Sequence, residues 1–215
     1  IAGSDCSGGA GIQADIKTMT AHGVYAMSAI TALTAQNTTG VSDILEVPPT
    51  FLANQLDAIF TDIFPDAVKI GMVSSASLIE VIADKLRRYN AKHIVVDPVM
   101  IATAGEPLIL QAAISVYEQN LMPRTTVLTP NLDELQRLLG TTEDIRTADE
   151  LQQAATVLAN RYNCAVLAKG GHLDGDTCTD ILILKDGTAY RWAHPRTIGI
   201  STHGTGCTLS SAIAA

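Results

Sequence analysis

Several classes of protein are excluded by what this chain lacks. Its four cysteines, Cys6, Cys164, Cys178 and Cys207, include no CxxC pair and no zinc-type spacing. A core of this size needs no disulfide staple, so a reduced, cytoplasmic setting is expected. Positive charge is scarce: 14 Lys and Arg against 22 Asp and Glu leave a net charge of -8. That balance argues against nucleic acid or an anionic membrane as the main partner. No uninterrupted apolar run approaches the roughly 20 residues of a membrane span, and no signal peptide is visible. The glycine-rich stretches fit neither GxGxxG nor GxxxxGK[ST], which removes dinucleotide and Walker-type readings. An initiating methionine is missing too. The chain starts on Ile1 and stops on Ala215 inside an apparent helix. Both ends therefore look cut, and absent targeting signals carry little weight.

What is present suits one globular domain over residues 1–215, with 47% hydrophobic and 17% charged residues. Ile1-Ala2 reads as the tail of a strand, and residues 3–11 hold too many glycines for regular structure. A helix follows with Ile12, Ile16 and Met19 on one face. Residues 26–35 read as a buried strand, with Gln36 and Asn37 beyond its end, and residues 44–47 as a short strand stopped by Pro48-Pro49. The next helix carries Leu52, Leu56, Ile59, Phe60 and Ile63 as an apolar stripe. Strands at 67–70, 93–96, 126–128 and 165–168 then alternate with helices. One helix spans 112–121; another carries Leu132, Leu135 and Leu138 or Leu139. Ser77-x-x-Glu80 and Thr147-x-x-Glu150 resemble capping boxes. Residues 181–184, the turn Asp186-Gly187 and residues 188–192 make an antiparallel hairpin. The pattern predicts an α/β sandwich with a mostly parallel sheet, helices on both faces and a C-terminal antiparallel hairpin.

In such sheets ligands bind beyond the carboxyl ends of the strands. Gln36, Gly71 with Met72, Asp97, Asn131 with Glu134, and Lys169 all fall there. Each has a bland alternative: Asp97 before Pro98 could cap a turn, and Asn131 after Pro130 could cap its helix. Near the C-terminus, Gly204-Thr205-Gly206-Cys207 opens a small-residue helix. Backbone N–H groups at such a turn bind anions, phosphate above all. At that place the Cys207 thiol is expected to be more acidic than in water.

Together these residues suit phosphoryl transfer, which mostly needs positioning and charge neutralisation. Asp97 and Glu134 are oxygen ligands suited to Mg²⁺. Asn131 can hold a phosphate or a metal-bound water, and Lys169 is a point charge for a nucleotide phosphate. The amides of residues 204–207 would face the phosphoryl in flight, with Cys207 taking the proton from an attacking hydroxyl. His22 and His93 read as structural and His194 as a surface residue, whereas His172 and His203 lie within the cleft sequences.

The ordered segments resemble a known family. Ala2-Gly3-Ser4-Asp5 with residues 7–18, Thr31 to Thr38, Lys69-Ile70-Gly71-Met72 and Val96-Asp97-Pro98-Val99-Met100 look like its signatures. Thr129-Pro130-Asn131-Leu132 with Glu134, Lys169-Gly170-Gly171-His172 and His203-Gly204-Thr205-Gly206-Cys207 complete the set. The family is the hydroxymethylpyrimidine and phosphomethylpyrimidine kinases of thiamine biosynthesis, within the ribokinase-like superfamily. The resemblance implies a ribokinase-like three-layer sandwich. It also implies ATP-dependent phosphorylation of 4-amino-5-hydroxymethyl-2-methylpyrimidine and then of its monophosphate, with ATP and Mg²⁺ as cofactors and a homodimer as the assembly. It places the pyrimidine at Gln36, Asp15, Met72 and Gly11, the ATP at Lys169, Asn131 and Thr202, and the metal at Asp97 and Glu134. Cys207, Gly204, Thr205 and Gly206 form its catalytic turn. Two departures stand out: Cys6 occupies a position where serine or proline is usual, and the family continues beyond residue 215. The rival readings are a pyridoxal or pyridoxine kinase, a cysteine hydrolase pairing Cys207 with His203 or His172, and a non-catalytic vitamin-binding protein.

Overall fold

The computed structural model of the chain describes residues 1–100, 111–199 and 201–215. β1 (Ala2–Asp5) leads into α1 (Gly11–Ala21), and β2 (Ile30–Asn37) turns straight back into β3 (Gly40–Glu46). α2 (Pro49–Asp62), β4 (Val68–Ile70), α3 (Ala76–Arg88) and β5 (Ile94–Val96) follow. Next come α4 (Gln111–Asn120), a 3-10 turn Met122–Arg124, β6 (Val127–Leu128) and α5 (Leu132–Leu139). The chain closes with α6 (Ala148–Tyr162), β7 (Ala165–Ala168), the hairpin β8 (Thr177–Ile183) and β9 (Ala189–Pro195), and α7 (Thr205–Ala214).

β4, β5, β6 and β7 pair in parallel, and β8 and β9 extend that sheet in antiparallel fashion. β1 runs parallel to β2, and β3 returns antiparallel to it. The Ile1 nitrogen donates to the Lys69 carbonyl (2.8 Å), and the Gly71 N–H donates to the Ile1 carbonyl (2.9 Å). These two bonds make one parallel rung and join β1 to β4, so the sheet is continuous. The structure is therefore the expected α/β sandwich, mostly parallel at its centre and antiparallel at both edges.

The apolar core lies on one side of this sheet. Val68, Ile70, Ile94, Val96, Leu128, Val166 and Ala168 pack there with the buried faces of α2, α3, α5 and α6. On the other side α1 packs against α7, which crosses β4 and β5. That side is polar: Asp15 and Thr18 of α1 and Ser210 and Ser211 of α7 are all buried.

The structure corrects several local expectations. β1 runs on to Asp5, so the glycine loop begins later than residue 3. α1 buries Ile12, Ala14, Asp15 and Thr18, whereas Ile16 is exposed, because the helix faces a charged lysine on β4 instead of an apolar surface. The strand expected at 26–35 starts at Ile30 and includes Gln36 and Asn37, which pair with Val41 and Gly40 across a tight hairpin. Ile63 lies past the end of α2 and is exposed. Ser77 is not a cap. α3 begins at Ala76, its N-cap is Ser75 without a side-chain cap bond, and the Ser75 and Ser77 hydroxyls bond each other (3.1 Å). Thr147 and Glu150 do form a reciprocal capping box.

The two threonine and serine positions give a contrast in stability. Thr147→Ala is expected to cost about 1 kcal/mol, the usual worth of a cap, while Ser77→Ala stays within about 0.5 kcal/mol of wild type. Urea unfolding of the two variants checks this, and equal losses would contradict the assignment of the caps.

Candidate active site

Strand alternation builds the site. Lys69 sits between Val68 and Ile70, which face the apolar core, so its side chain must point the other way, toward α1 and α7. Asp97 follows the core residue Val96, Thr129 follows Leu128, and Lys169 follows Ala168. All four side chains are delivered to the same polar side, Lys69 from within β4 and the other three from just beyond the carboxyl ends of parallel strands.

There they make two buried ion pairs. Lys69 Nζ lies 2.7 Å from Asp15 Oδ1, and the Ser211 hydroxyl donates to the same oxygen at 2.7 Å. Asp15 Oδ2 is buried without a hydrogen-bond partner among the described residues. Lys169 Nζ lies 2.9 Å from Asp97 Oδ1, which also accepts from the Thr129 hydroxyl at 3.0 Å. Burial alone would raise the Asp97 carboxyl, but the Lys169 and Lys69 charges and these hydrogen bonds hold it below the usual range. Burial pushes Glu134 up to about 7; Lys169 opposes that rise and Asp97 adds to it.

Glu134 and Asn131 have a second duty that the local sequence allowed for. The Asn131 side chain accepts from the Glu134 N–H (2.9 Å), and Glu134 Oε2 accepts from the Asn131 N–H (2.8 Å). This capping box starts α5 and aims both residues at the carboxyl end of β6. The Lys169 N–H donates to the Pro130 carbonyl (2.9 Å), so the β6 and β7 ends are tied side by side.

The glycine turn meets this cluster from above. Gly204 caps α7 in the left-handed region, with φ 79°. A Cβ on Gly206 would lie 3.3 Å from Lys169 Nζ and 3.4 Å from Asp97 Oδ2, so the missing side chain opens the turn onto the ion pair. Thr202 is exposed, and its carbonyl accepts from the Thr205 N–H (3.2 Å) and hydroxyl (2.8 Å), which folds the turn.

One expectation about Cys207 is overturned. Its thiol is raised above the ordinary value, not acidified. Burial is the main cause; Lys69 and the Gly11 N–H pull it down, and the Asp97 and Asp15 carboxylates push it up. The helix terminus is outweighed by the desolvation and the acids around it.

The remaining candidates are more dispersed. Met72 is buried with Ala32 and Val99, and its carbonyl accepts from the Thr31 hydroxyl at 2.7 Å. Gly11 takes φ 55°, and a Cβ there would meet the Gly3 carbonyl oxygen at 2.4 Å. Gln36 lies on the β2–β3 hairpin and, with Cys6 and Asn37, lines an open hollow of about 500 Å³. His22 closes α1 by hydrogen bonding to the Thr18 carbonyl (2.9 Å), His93 takes a left-handed φ of 52°, and His194 and His172 are exposed. His203 is bonded to Asp5 (2.9 Å).

Lys69, Ser210 and Ser211 were missed as site residues. The signal for Lys69 was present: a lysine inside a fully buried three-residue strand needs a partner or a function. Nothing in the small-residue pattern of α7 distinguishes its serines from a packing face.

Comparisons with known proteins find matches over nearly the whole chain. A family model described as phosphomethylpyrimidine kinase matches residues 5–215. The hydroxymethylpyrimidine/phosphomethylpyrimidine kinase of Escherichia coli is 45% identical over 216 residues, covering 100% of this chain and 80% of that protein. The thiamine biosynthesis bifunctional protein ThiED of Geobacter sulfurreducens is 50% identical over 215 residues, which cover 100% of this chain and 43% of that protein. The crystal structure of a Clostridium difficile phosphomethylpyrimidine kinase superposes with a TM-score of 0.84 at 42% identity, covering 99% of this chain and 86% of that one. Bacillus subtilis pyridoxal kinase, solved with ADP, superposes at 0.88 with 32% identity, covering 99% and 80%.

The raised Glu134 has a consequence for stability. Its folded pKa of about 7 exceeds the ordinary 4.5, so the folded state keeps a proton that the unfolded chain releases. That stabilisation is complete below pH 4.5 and is lost as pH rises through 7, about 3 kcal/mol in all. Glu134→Gln should remove this decline, and urea midpoints of both proteins at pH 5 and pH 8 measure it. An equal decline in the two would show that Glu134 titrates normally.

Proposed function

The chain belongs to the phosphomethylpyrimidine kinase family, and we propose how its residues divide the work of phosphorylating 4-amino-5-hydroxymethyl-2-methylpyrimidine, and then the monophosphate, in thiamine biosynthesis. ATP is the donor, in keeping with the nucleotide complexes of related kinases. The observation that carries the assignment is the meeting of Gly206 with the Lys169–Asp97 pair, which sets an anion-binding turn against a cation at strand ends.

The N–H groups of Gly204, Gly206 and Cys207 face the phosphoryl group and stabilise its charge as it moves, while Thr205 closes the turn onto the Thr202 carbonyl. Lys169, with Asn131 and Thr202, meets the phosphates of the nucleotide. Asp15, whose Oδ2 lacks a donor, accepts from the amino group of the pyrimidine, with Gln36, Met72 and Gly11 around the ring.

Asp97 and Glu134 fit a hydrated Mg²⁺. An ion of this kind is held by one or two carboxylates, waters and substrate phosphates and needs no larger protein cage. When bound, the ion supplies positive charge to the phosphate oxygens.

Cys207 accepts the proton of the attacking hydroxyl. Only the thiolate form can do so, becoming the thiol as it takes the proton; burial keeps that form a minor fraction at neutral pH, and its higher basicity favours the transfer. In the second step the nucleophile is already a phosphate, so this duty falls away.

Two finer assignments complete the reading. Leu33 and Leu45, cross-strand partners on the β2–β3 edge, leave an apolar face uncovered, with Leu45 67% exposed, and we assign that face to a second copy of the chain. Leu45→Asp should convert a dimer to a monomer in sedimentation velocity; an unchanged mass would contradict the dimer. A cytoplasmic setting accords with four free cysteines, and assay of soluble and membrane fractions checks it. No helix among the described residues is long and apolar enough to cross a membrane.

The function is tested by coupled ADP release with the pyrimidine alcohol, its monophosphate and pyridoxal side by side. A preference for the pyrimidines is expected; a preference for pyridoxal would support the reading suggested by the pyridoxal kinase structures. Cys207→Ala should slow the alcohol step by roughly 10²–10⁴-fold and the monophosphate step much less. Equal losses would reduce the thiol to a part of the anion turn.

A further inference from the structure

Two loops from opposite ends of the chain interlock beside the transfer turn. His203 Nε2 lies 2.9 Å from Asp5 Oδ2, across 198 residues of sequence. Asp5 is 1% exposed, and its carboxylate gathers the loop that follows β1. Oδ1 accepts from the Ser7 N–H (2.8 Å) and hydroxyl (2.7 Å), and Oδ2 accepts from the N–H groups of Gly9 (3.1 Å) and Ala10 (2.8 Å). A carboxylate so loaded with donors stays ionised and offers only acceptors, so the imidazole must carry its proton on Nε2 and donate it.

The backbones press together at the same place. A Cβ on Gly204 would fall 1.8 Å from the Gly9 carbonyl oxygen, and a Cβ on Gly9 would fall 2.7 Å from His203 Cδ2. The two loops are in close backbone contact there. The glycine loop also ends at Gly11, whose N–H acts on the Cys207 thiol. One carboxylate thereby fixes the loop and, through His203, the turn that begins at Gly204.

We propose that the Asp5–His203 bond is a clasp holding the glycine loop against the transfer turn, and that His203 is a positioning residue for phosphoryl transfer. It touches neither substrate nor nucleotide; it acts by keeping the Gly11 N–H, the Cys207 thiol and the amides of the turn in register. The proposal rests on the assignment of that turn made above. A misplacement of about 1 Å in such a constellation can cost on the order of 10²-fold in rate.

The test uses His203→Ala and His203→Gln in the whole chain. The Gln side chain places an amide N–H at the position of Nε2–H. His203→Ala should lower kcat for the pyrimidine alcohol by about 10–100-fold, with the KM for ATP little changed. His203→Gln should recover most of that rate, and added imidazole should restore the alanine variant. Iodoacetamide labelling of Cys207 in the absence of substrate, followed by mass spectrometry, should quicken in His203→Ala and return toward wild type in His203→Gln, with Cys178 on β8, outside both loops, as the internal reference. The labelling arm reads the clasp even if the pyrimidine proves to be the wrong substrate. Unchanged kcat and unchanged labelling in His203→Ala would overturn the proposal. So would a loss that neither glutamine nor imidazole repairs, which would mark a purely structural histidine.

Discussion

Charge buried between the sheet and two helices is the constraint on which the rest of this molecule depends. Lys69 with Asp15, and Lys169 with Asp97, lie in a space where an unpaired ion would be costly. Removing one partner of such a pair typically costs about 3–5 kcal/mol, because the other charge is left uncompensated. α1 and α7 therefore cannot present ordinary apolar stripes here. They supply Asp15, Ser210 and Ser211 as partners, while α2, α3, α5 and α6 build the apolar core on the far side. The sheet separates an apolar face from a face of paired charges.

The same crowding sets the character of the thiol. A helix terminus on its own would favour thiolate, but around Cys207 burial and two carboxylates outweigh one helix end and one lysine. Burial is the largest of these effects, and the cations and anions around the thiol act in opposite directions. Glu134 is poised in the same way, held near neutrality by burial and by Asp97.

Much of this was legible along the chain. The alternation of apolar strands with amphipathic helices, the Asp186-Gly187 hairpin and the Thr147 box follow from local periodicity and turn chemistry, which need only near neighbours. Asp97, Asn131, Glu134 and Lys169 were found because they interrupt apolar runs at strand ends. Lys69 was passed over because it lies within a strand, where a pattern reading counts it as one polar residue among apolar ones. The face of α1 was misread for a related reason: Ile12, Ile16 and Met19 form a good stripe, but the surface facing the helix carries a lysine. Ser77 failed as a cap because the choice between Ser75 and Ser77 depends on where the preceding loop delivers the chain.

By itself the sequence determined which elements form, their order, the parallel sheet with its antiparallel end, and the polar residues at its carboxyl edge. These depend on side-chain periodicity and backbone preference, which are local. Only the tertiary structure decided who pairs with whom: Lys69 with Asp15 across 54 residues, Lys169 with Asp97 across 72, His203 with Asp5 across 198. It also decided the state of the Cys207 thiol. Ionisation depends on burial and on charges brought near in space, and neither is a property of the neighbouring sequence.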